Sequence, residues 1–345
     1  MYSFKNDYSE GAHPRILQAM MATNTQQNEG YGEDAHCLAA VKRIKELLGG
    51  DPASVDVHLL CGGTQTNLTA ISAFLRPHEA AIGTNMSHIF VHETGAIEAT
   101  GHKILTVPTR DGKLSPDGLQ TILDGHPNDE HMVKPRLVKI SNSTEIGSVY
   151  RLKELEALSR FCREKKLLLY VDGARLGSAL ASEGNDVTLA DMRRLTDAFY
   201  IGGTKNGAIL GEALVIVNDA LKEDFRYHIK QKGGLMAKGW ILGIQFEELF
   251  RDDLYFELAR HANAMAQRIA GAIREGGYDF LTPSPSNQVF PILPNTLIEK
   301  LGKNWIFSHW SKIDEKHSSI RLVTSWATKE EAVDEFIREF RSLTA

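Results

Sequence analysis

Residues Leu167-Leu168-Leu169-Tyr170-Val171 make an unbroken apolar run that closes on Asp172-Gly173-Ala174-Arg175. A short apolar run without polar alternation predicts a strand covered on both faces, as in a mainly parallel sheet. The segment before it, Leu152 to Lys166, carries Leu155, Leu158, Phe161 and Cys162 on one helical face. A helix feeding a doubly buried strand is the repeating unit of an α/β sandwich. The rest of the first 250 residues fits that unit. Strands are predicted at Val55 to Leu60, Ala80 to Thr84, Ile104 to Val107, Arg136 to Ser141, Asp197 to Gly202 and Ala213 to Val217. Helices are predicted after Pro14, over Cys37 to Leu48 with a stop at Gly49-Gly50, and over Leu68 to Leu75 and Asp117 to Leu123.

The texture changes near Phe256. A long helix to Glu275 precedes strand signals at Val289 to Leu293 and Ser319 to Val323, then an amphipathic helix from Lys329 to Leu343. This predicts a large α/β domain over residues 1–250, N-terminal segment included, and a small α+β domain over 251–345. Within the latter, Trp305, Phe307 and Trp310 are read as core rather than as an entrance wall.

The 39 basic and 44 acidic residues leave a net charge of -5, which argues against a polyanionic partner. Cys37, Cys61 and Cys162 are odd in number and lack CxxC spacing, so neither a disulfide framework nor a zinc site is expected. His13, His58, His92 and His102 show no metal-binding spacing and are read as structural or exposed. No apolar leader and no membrane-length apolar stretch is visible, so a soluble cytoplasmic protein is the expectation.

Three short segments carry chemistry. Gly62-Gly63-Thr64-Gln65 lies between a strand and a helix, where bare amides and the helix N-terminus favour an anion such as phosphate. A turn that merely caps the helix uses the same letters. Asp172 ends the buried strand, at the sheet edge where open α/β sheets bind ligands. A helix cap is the structural alternative there. Arg175 can grip a carboxylate with both arms of its guanidinium, or simply pair with Asp172. Lys205 follows Gly202-Gly203-Thr204 at the end of the next strand. Lysines in glycine-rich loops usually face solvent, yet one next to a carboxylate-ended strand suits a Schiff-base lysine. Phosphate cradle, aspartate and lysine in that order are what pyridoxal phosphate requires: the aspartate keeps the pyridine nitrogen protonated and the lysine binds the aldehyde.

The chain resembles fold-type I pyridoxal-phosphate enzymes, specifically the threonine aldolase and β-eliminating lyase family. The matching segments are Asn6-Asp7, Tyr31-Gly32-Glu33-Asp34, Gly63-Thr64-Gln65-Thr66-Asn67 and Ser87-His88-Ile89 with Glu93 and Gly95. Asp172-Gly173-Ala174-Arg175, Gly202-Gly203-Thr204-Lys205-Asn206-Gly207 and Arg321-Leu322-Val323-Thr324 complete them. The resemblance implies an aspartate-aminotransferase-like large domain with a mainly parallel sheet. It implies that Lys205 binds the cofactor, Asp172 meets its nitrogen, Gly63 and Thr64 hold its phosphate and His88 stacks on its ring. Arg175 and Arg321, with Asn6, would hold the substrate carboxylate. Tyr31 would reach a neighbouring subunit's site, making the protein a dimer or tetramer. Lys238 would lend the phosphate a cation.

The reaction implied is retro-aldol cleavage of L-threonine or L-allo-threonine to glycine and acetaldehyde. Departures from the family pattern bear on the base. No histidine lies within Ser141 to Gly147, where Thr144 and Glu145 stand, and Glu145 is read as a solvated loop carboxylate. Asn6 replaces a common serine, and Trp240 is expected near the site entrance. His88 and Glu93 remain as base candidates. The alternatives are a β-eliminating lyase releasing ammonia and a keto acid, a non-catalytic nucleotide-binding protein, and, disfavoured, an aminotransferase.

Overall fold

The apolar run that closes on Asp172 is the middle strand of a seven-stranded sheet. A computed structural model describes residues 1–344. The strands are β1 (Asp56–Leu60), β2 (Glu79–Thr84), β3 (Ile104–Val107), β4 (Lys134–Ser141), β5 (Leu168–Asp172), β6 (Ala198–Gly202) and β7 (Glu212–Ile216). Their spatial order is β1-β7-β6-β5-β4-β2-β3. Strand β7 is antiparallel to both neighbours, and the other pairings are parallel. The C-terminal ends of six strands therefore share one edge with the N-terminal end of β7. That edge carries the site.

The strand period of two sorts the side chains into two cores. Val138, Ile140, Leu169, Val171, Phe199, Ile201, Ala213 and Val215 face one layer of helices. Leu137, Leu168, Tyr170, Ala198, Tyr200, Leu214 and Ile216 face the other, against the helix Gly63–Phe74. Lys139, Ser141, Asp172 and Glu212 share the parity of this second set.

The helix Gly63–Phe74 begins five residues before its expected start at Leu68. Its first turn is Gly63-Thr64-Gln65-Thr66-Asn67, polar because it borders a cavity rather than the core, and so it lacks the apolar period. The single strand expected at Val289 to Leu293 is two strands, β8 (Gln288–Val289) and β9 (Ile292–Pro294). Pro291 lies between them and has no N–H to donate to a ladder. With β10 (Ser308–Lys312) and β11 (His317–Val323) they form a small antiparallel sheet. The helices Leu254–Glu275 and Glu330–Thr344 cover it. Trp305 is core there, stacked on Phe4 at 5.6 Å. Trp310 is not core; it packs on Phe290 and lies under Arg321.

The N-terminal segment, expected with the large domain, packs into this C-terminal layer. Tyr2–Ser3 pairs in parallel with Trp305–Ile306, and Phe4 is fully buried among Ile269, Leu322 and Phe336. The chain then passes to the cavity at Asp7 and Tyr8.

Candidate active site

At the shared edge the strand ends surround a cavity of about 290 Å³. Two close backbone passages shape it. A Cβ on Gly173 would fall 1.8 Å from the Tyr200 carbonyl oxygen, and one on Gly202 2.5 Å from that of Ala174. Only glycine lets β5 and β6 leave the sheet this close together. The helix Gly63–Phe74 starts at the cavity wall without a side-chain cap, so the amides of Gly63, Thr64 and Gln65 have no intrahelical acceptor.

Asp172 is buried, and both carboxylate oxygens are engaged. Oδ1 accepts from the Tyr200 hydroxyl and from the Ala174 amide at 3.1 Å. Oδ2 accepts from Asn67 Nδ2 at 3.1 Å and from Lys139 Nζ at 3.0 Å. Burial alone pushes this carboxyl up, but Lys139 and the Tyr200 hydroxyl outweigh it and hold it well below the usual carboxylate range. It stays ionised at neutral pH.

Lys205 lies in the turn between β6 and β7, where Gly203 and Thr204 donate their amides to the Gly211 carbonyl. Its side chain faces the cavity and is half-buried, 6.0 Å from the Tyr8 ring. Burial, seconded by Arg175, lowers its pKa, which favours the free amine. Glu212, the first residue of β7, borders the same space. Its Oε1 accepts the Thr204 hydroxyl at 2.8 Å, and burial pushes its carboxyl up to about 8.

On the opposite wall Glu93 Oε1 lies 2.8 Å from His88 Nδ1 and accepts from Asn67 Nδ2 at 2.7 Å. The imidazole is thus oriented through Nδ1, with Nε2 left free. Glu145 is not the solvated loop carboxylate expected. Its Oε1 accepts from the His88 amide at 2.9 Å and from the Ser141 hydroxyl at 2.7 Å, because the loop after β4 folds back over the sheet edge. Thr144 lines the cavity too, with its hydroxyl held 2.8 Å from Ser148 Oγ.

Arg175 pairs with Asp7, not with Asp172: Nε and one terminal nitrogen reach the two Asp7 oxygens at 2.6 and 2.9 Å. Arg321 lies beyond this pair. One terminal nitrogen donates to the Lys5 carbonyl at 3.3 Å, while its buried Nε has no partner.

The cavity therefore collects Gly63, Thr64, His88, Glu93, Asp172, Arg175 and Lys205. It does not include Asn6, Tyr31, Lys238, Arg321 or Trp240. Asn6 accepts locally from the Tyr8 amide and the Ser9 hydroxyl. Tyr31 is exposed, with Lys230 over its ring, and donates its amide to the Ala237 carbonyl beside Lys238. Trp240 opens the helix Trp240–Leu249 away from the cavity, packed toward the helix Ala35–Leu48.

Four residues here were not foreseen: Tyr8, Lys139, Tyr200 and Glu212. Glu212 is the only charge of an apolar strand and Lys139 stands between Val138 and Ile140, and that conflict was the available signal. Of the four histidines read as structural or exposed, His13 caps the helix Pro14–Thr23, His58 is buried against Phe225 with its pKa pushed down to about 4, His102 bonds to the Glu79 carbonyl and His92 is exposed. Among the described residues no cluster of metal ligands occurs.

Pyridoxal phosphate is the cofactor this donor set fits. The cavity offers an anion cradle at a helix start, a buried ionised carboxylate and a lysine amine biased towards its free form. Buried atoms on its walls, Glu93 Oε2, Ser143 Oγ and Glu212 Oε2, lack partners among the described residues.

The comparisons with known proteins agree. The chain belongs to the beta-eliminating lyase family, whose model matches residues 6–294. Within that class its full-length relatives are threonine aldolases. It is 33% identical over 342 residues to the low specificity L-threonine aldolase of Pseudomonas aeruginosa, covering 98% of this chain and 96% of that one. It is 51% identical to the structure of a Leishmania major threonine aldolase, with a TM-score of 0.98 and full coverage of both chains. Thermus thermophilus aspartate aminotransferase, 14% identical with a TM-score of 0.73 over 100% of this chain and 92% of that one, shares the fold.

Proposed function

We propose that this protein is a pyridoxal-phosphate-dependent aldolase that cleaves L-threonine or L-allo-threonine to glycine and acetaldehyde. The observation that carries the reading is the joint placement of Lys205, Asp172 and the Gly63-Thr64 helix start around one cavity. Full-length similarity to enzymes named L-threonine aldolase supports the substrate.

When bound, the cofactor supplies an electron-withdrawing ring that makes a bond at the substrate Cα labile. The chain does the rest. Lys205 is the amine that would hold the cofactor's aldehyde carbon, Asp172 would pair with its ring nitrogen, and the amides of Gly63 and Thr64 would hold its phosphate. Arg175 and Arg321 hold the substrate carboxylate, which decides which Cα bond is aligned for cleavage. Arg175 does so while Asp7 keeps its guanidinium in place. His88, oriented by Glu93, takes the proton of the β-hydroxyl as the Cα–Cβ bond breaks and the aldehyde departs. Asn6, Tyr31, Lys238 and Arg321 lie outside the single-chain cavity, Arg321 close behind the Arg175–Asp7 pair. In this proposal Tyr31 and Lys238 serve the site of a second copy in a homo-oligomer. A division near residue 250, with residues 2–4 packed on the C-terminal unit, and a cytoplasmic location complete the reading; three free cysteines accord with a reducing compartment.

The test is incubation of the pyridoxal-phosphate-loaded protein with L-threonine and with L-allo-threonine, assaying acetaldehyde and ammonia together. Acetaldehyde with equimolar glycine and no ammonia supports the aldolase. Ammonia with 2-oxobutyrate moves the protein to the eliminating branch of the family.

A further inference from the structure

Lys139 has no part in the chemistry above, yet it sits at its centre. It lies on β4 directly opposite Tyr170 of β5, on the face that carries Asp172. Its side chain is 0% exposed. Nζ lies 3.0 Å from Asp172 Oδ2, 2.6 Å from Ser141 Oγ and 3.5 Å from Glu145 Oε1. Glu93 and His88 are the other charged or titratable groups facing this cluster. Burial favours the neutral amine, but Asp172 and Glu145 outweigh it and keep the lysine charged.

The geometry at Asp172 gives this cation its meaning. A carboxylate has about four acceptor positions. Here all four are taken, two by Tyr200 and Ala174 on Oδ1 and two by Asn67 and Lys139 on Oδ2. A ring N–H arriving at Asp172 is a fifth donor, and it must share the carboxylate with an ammonium already in contact. A carboxylate that met only the ring nitrogen would need no second buried cation, which is costly to place.

We propose that Lys139 is a positioning residue that shares Asp172 with the cofactor's ring nitrogen and so limits how firmly that nitrogen holds its proton. The inference rests on the cofactor reading. Its consequence is a moderated electron sink, suited to a Cα–Cβ cleavage helped by a base at the β-hydroxyl. Indiscriminate loss of the Cα proton is thereby held down.

The test uses holoenzyme reconstituted with pyridoxal phosphate labelled with ¹⁵N in the ring, read by the ¹⁵N chemical shift. Lys139→Met is expected to move the resonance toward the protonated position. Lys139→Arg keeps it near that of the unsubstituted enzyme. Glu145→Gln leaves Lys139 answering to Asp172 alone and moves it the opposite way. Exchange of the glycine Cα proton with solvent, relative to acetaldehyde release, is expected to rise severalfold in Lys139→Met. A purely structural lysine would change stability without moving the nitrogen, so an unmoved resonance in folded Lys139→Met holoenzyme overturns the proposal. If that variant yields no holoenzyme, Glu145→Gln decides: the stated shift supports the proposal and an unchanged one overturns it. An unsubstituted protein that binds no pyridoxal phosphate overturns the cofactor reading and this inference with it.

Discussion

Arg175 and Asp7, 168 residues apart in sequence, form a two-armed ion pair at the cavity wall, with Asn287 Nδ2 donating a further bond to Asp7 Oδ2 at 2.9 Å. Breaking a buried pair from one side leaves the other charge uncompensated, at a cost of about 3–5 kcal/mol. Asp7→Asn is expected to lose stability of that order in urea unfolding. The pH dependence has a definite sign. Burial raises the Asp7 carboxyl, but Arg175 and Lys205 outweigh it, so its folded pKa lies below its unfolded value. The stability it adds is complete above about pH 4 and is lost as pH falls through the lower folded value. The acid flank of the stability curve is expected to be shallower in Asp7→Asn.

Lys205→Ala is expected to abolish the visible absorbance of bound pyridoxal phosphate and the release of acetaldehyde. The far-ultraviolet circular dichroism should stay that of the unsubstituted protein. Residual cleavage above background would remove Lys205 from its assigned role.

Above about pH 8, the value to which burial pushes its carboxyl, Glu212 is ionised and raises the pKa of Lys205 beside it, against the lowering by burial and Arg175. Glu212→Gln removes that charge. The pH at which the apoprotein captures pyridoxal phosphate at half its maximal rate is expected to move down, measured by the growth of the bound-cofactor band. An upward move would mean that the carboxyl acts on the cofactor and not on the amine.

Tyr200 donates its hydroxyl to Asp172 inside the protein. A hydrogen bond to a charged group contributes about 1.5–3 kcal/mol. Tyr200→Phe is expected to destabilise the apoprotein by that amount in equilibrium unfolding. An unchanged midpoint would show that the other donors on Asp172 suffice.

The strands, and the residues that end them, were legible because apolar runs stop abruptly on Asp172 and on the turn before Lys205. The helix after Gly62 was only half legible, since its first turn spends its polar residues on the cavity. Lys139 and Glu212 were not read as site residues at all. Each interrupts an apolar stretch with one charge, and the partner that makes the charge tolerable comes from another strand. Lys139 meets Asp172 only through the register of β4 on β5, and Glu212 reaches the site only because β7 runs antiparallel. Arg175 was read as a residue that grips a carboxylate with both arms, and within the chain the carboxylate it grips is Asp7. No local pattern joins residues so distant in sequence.

Phe4, whose amide and carbonyl bond to Ile306 and Val323, stands three residues before Asp7. The segment Phe4 to Asp7 is thus a strap from the core of the C-terminal layer to the wall of the cavity, and that layer closes only when Phe4 meets partners that lie far away in sequence. In the completed molecule any shift of that layer pulls on the same strap, and Asp7 carries the pull to Arg175.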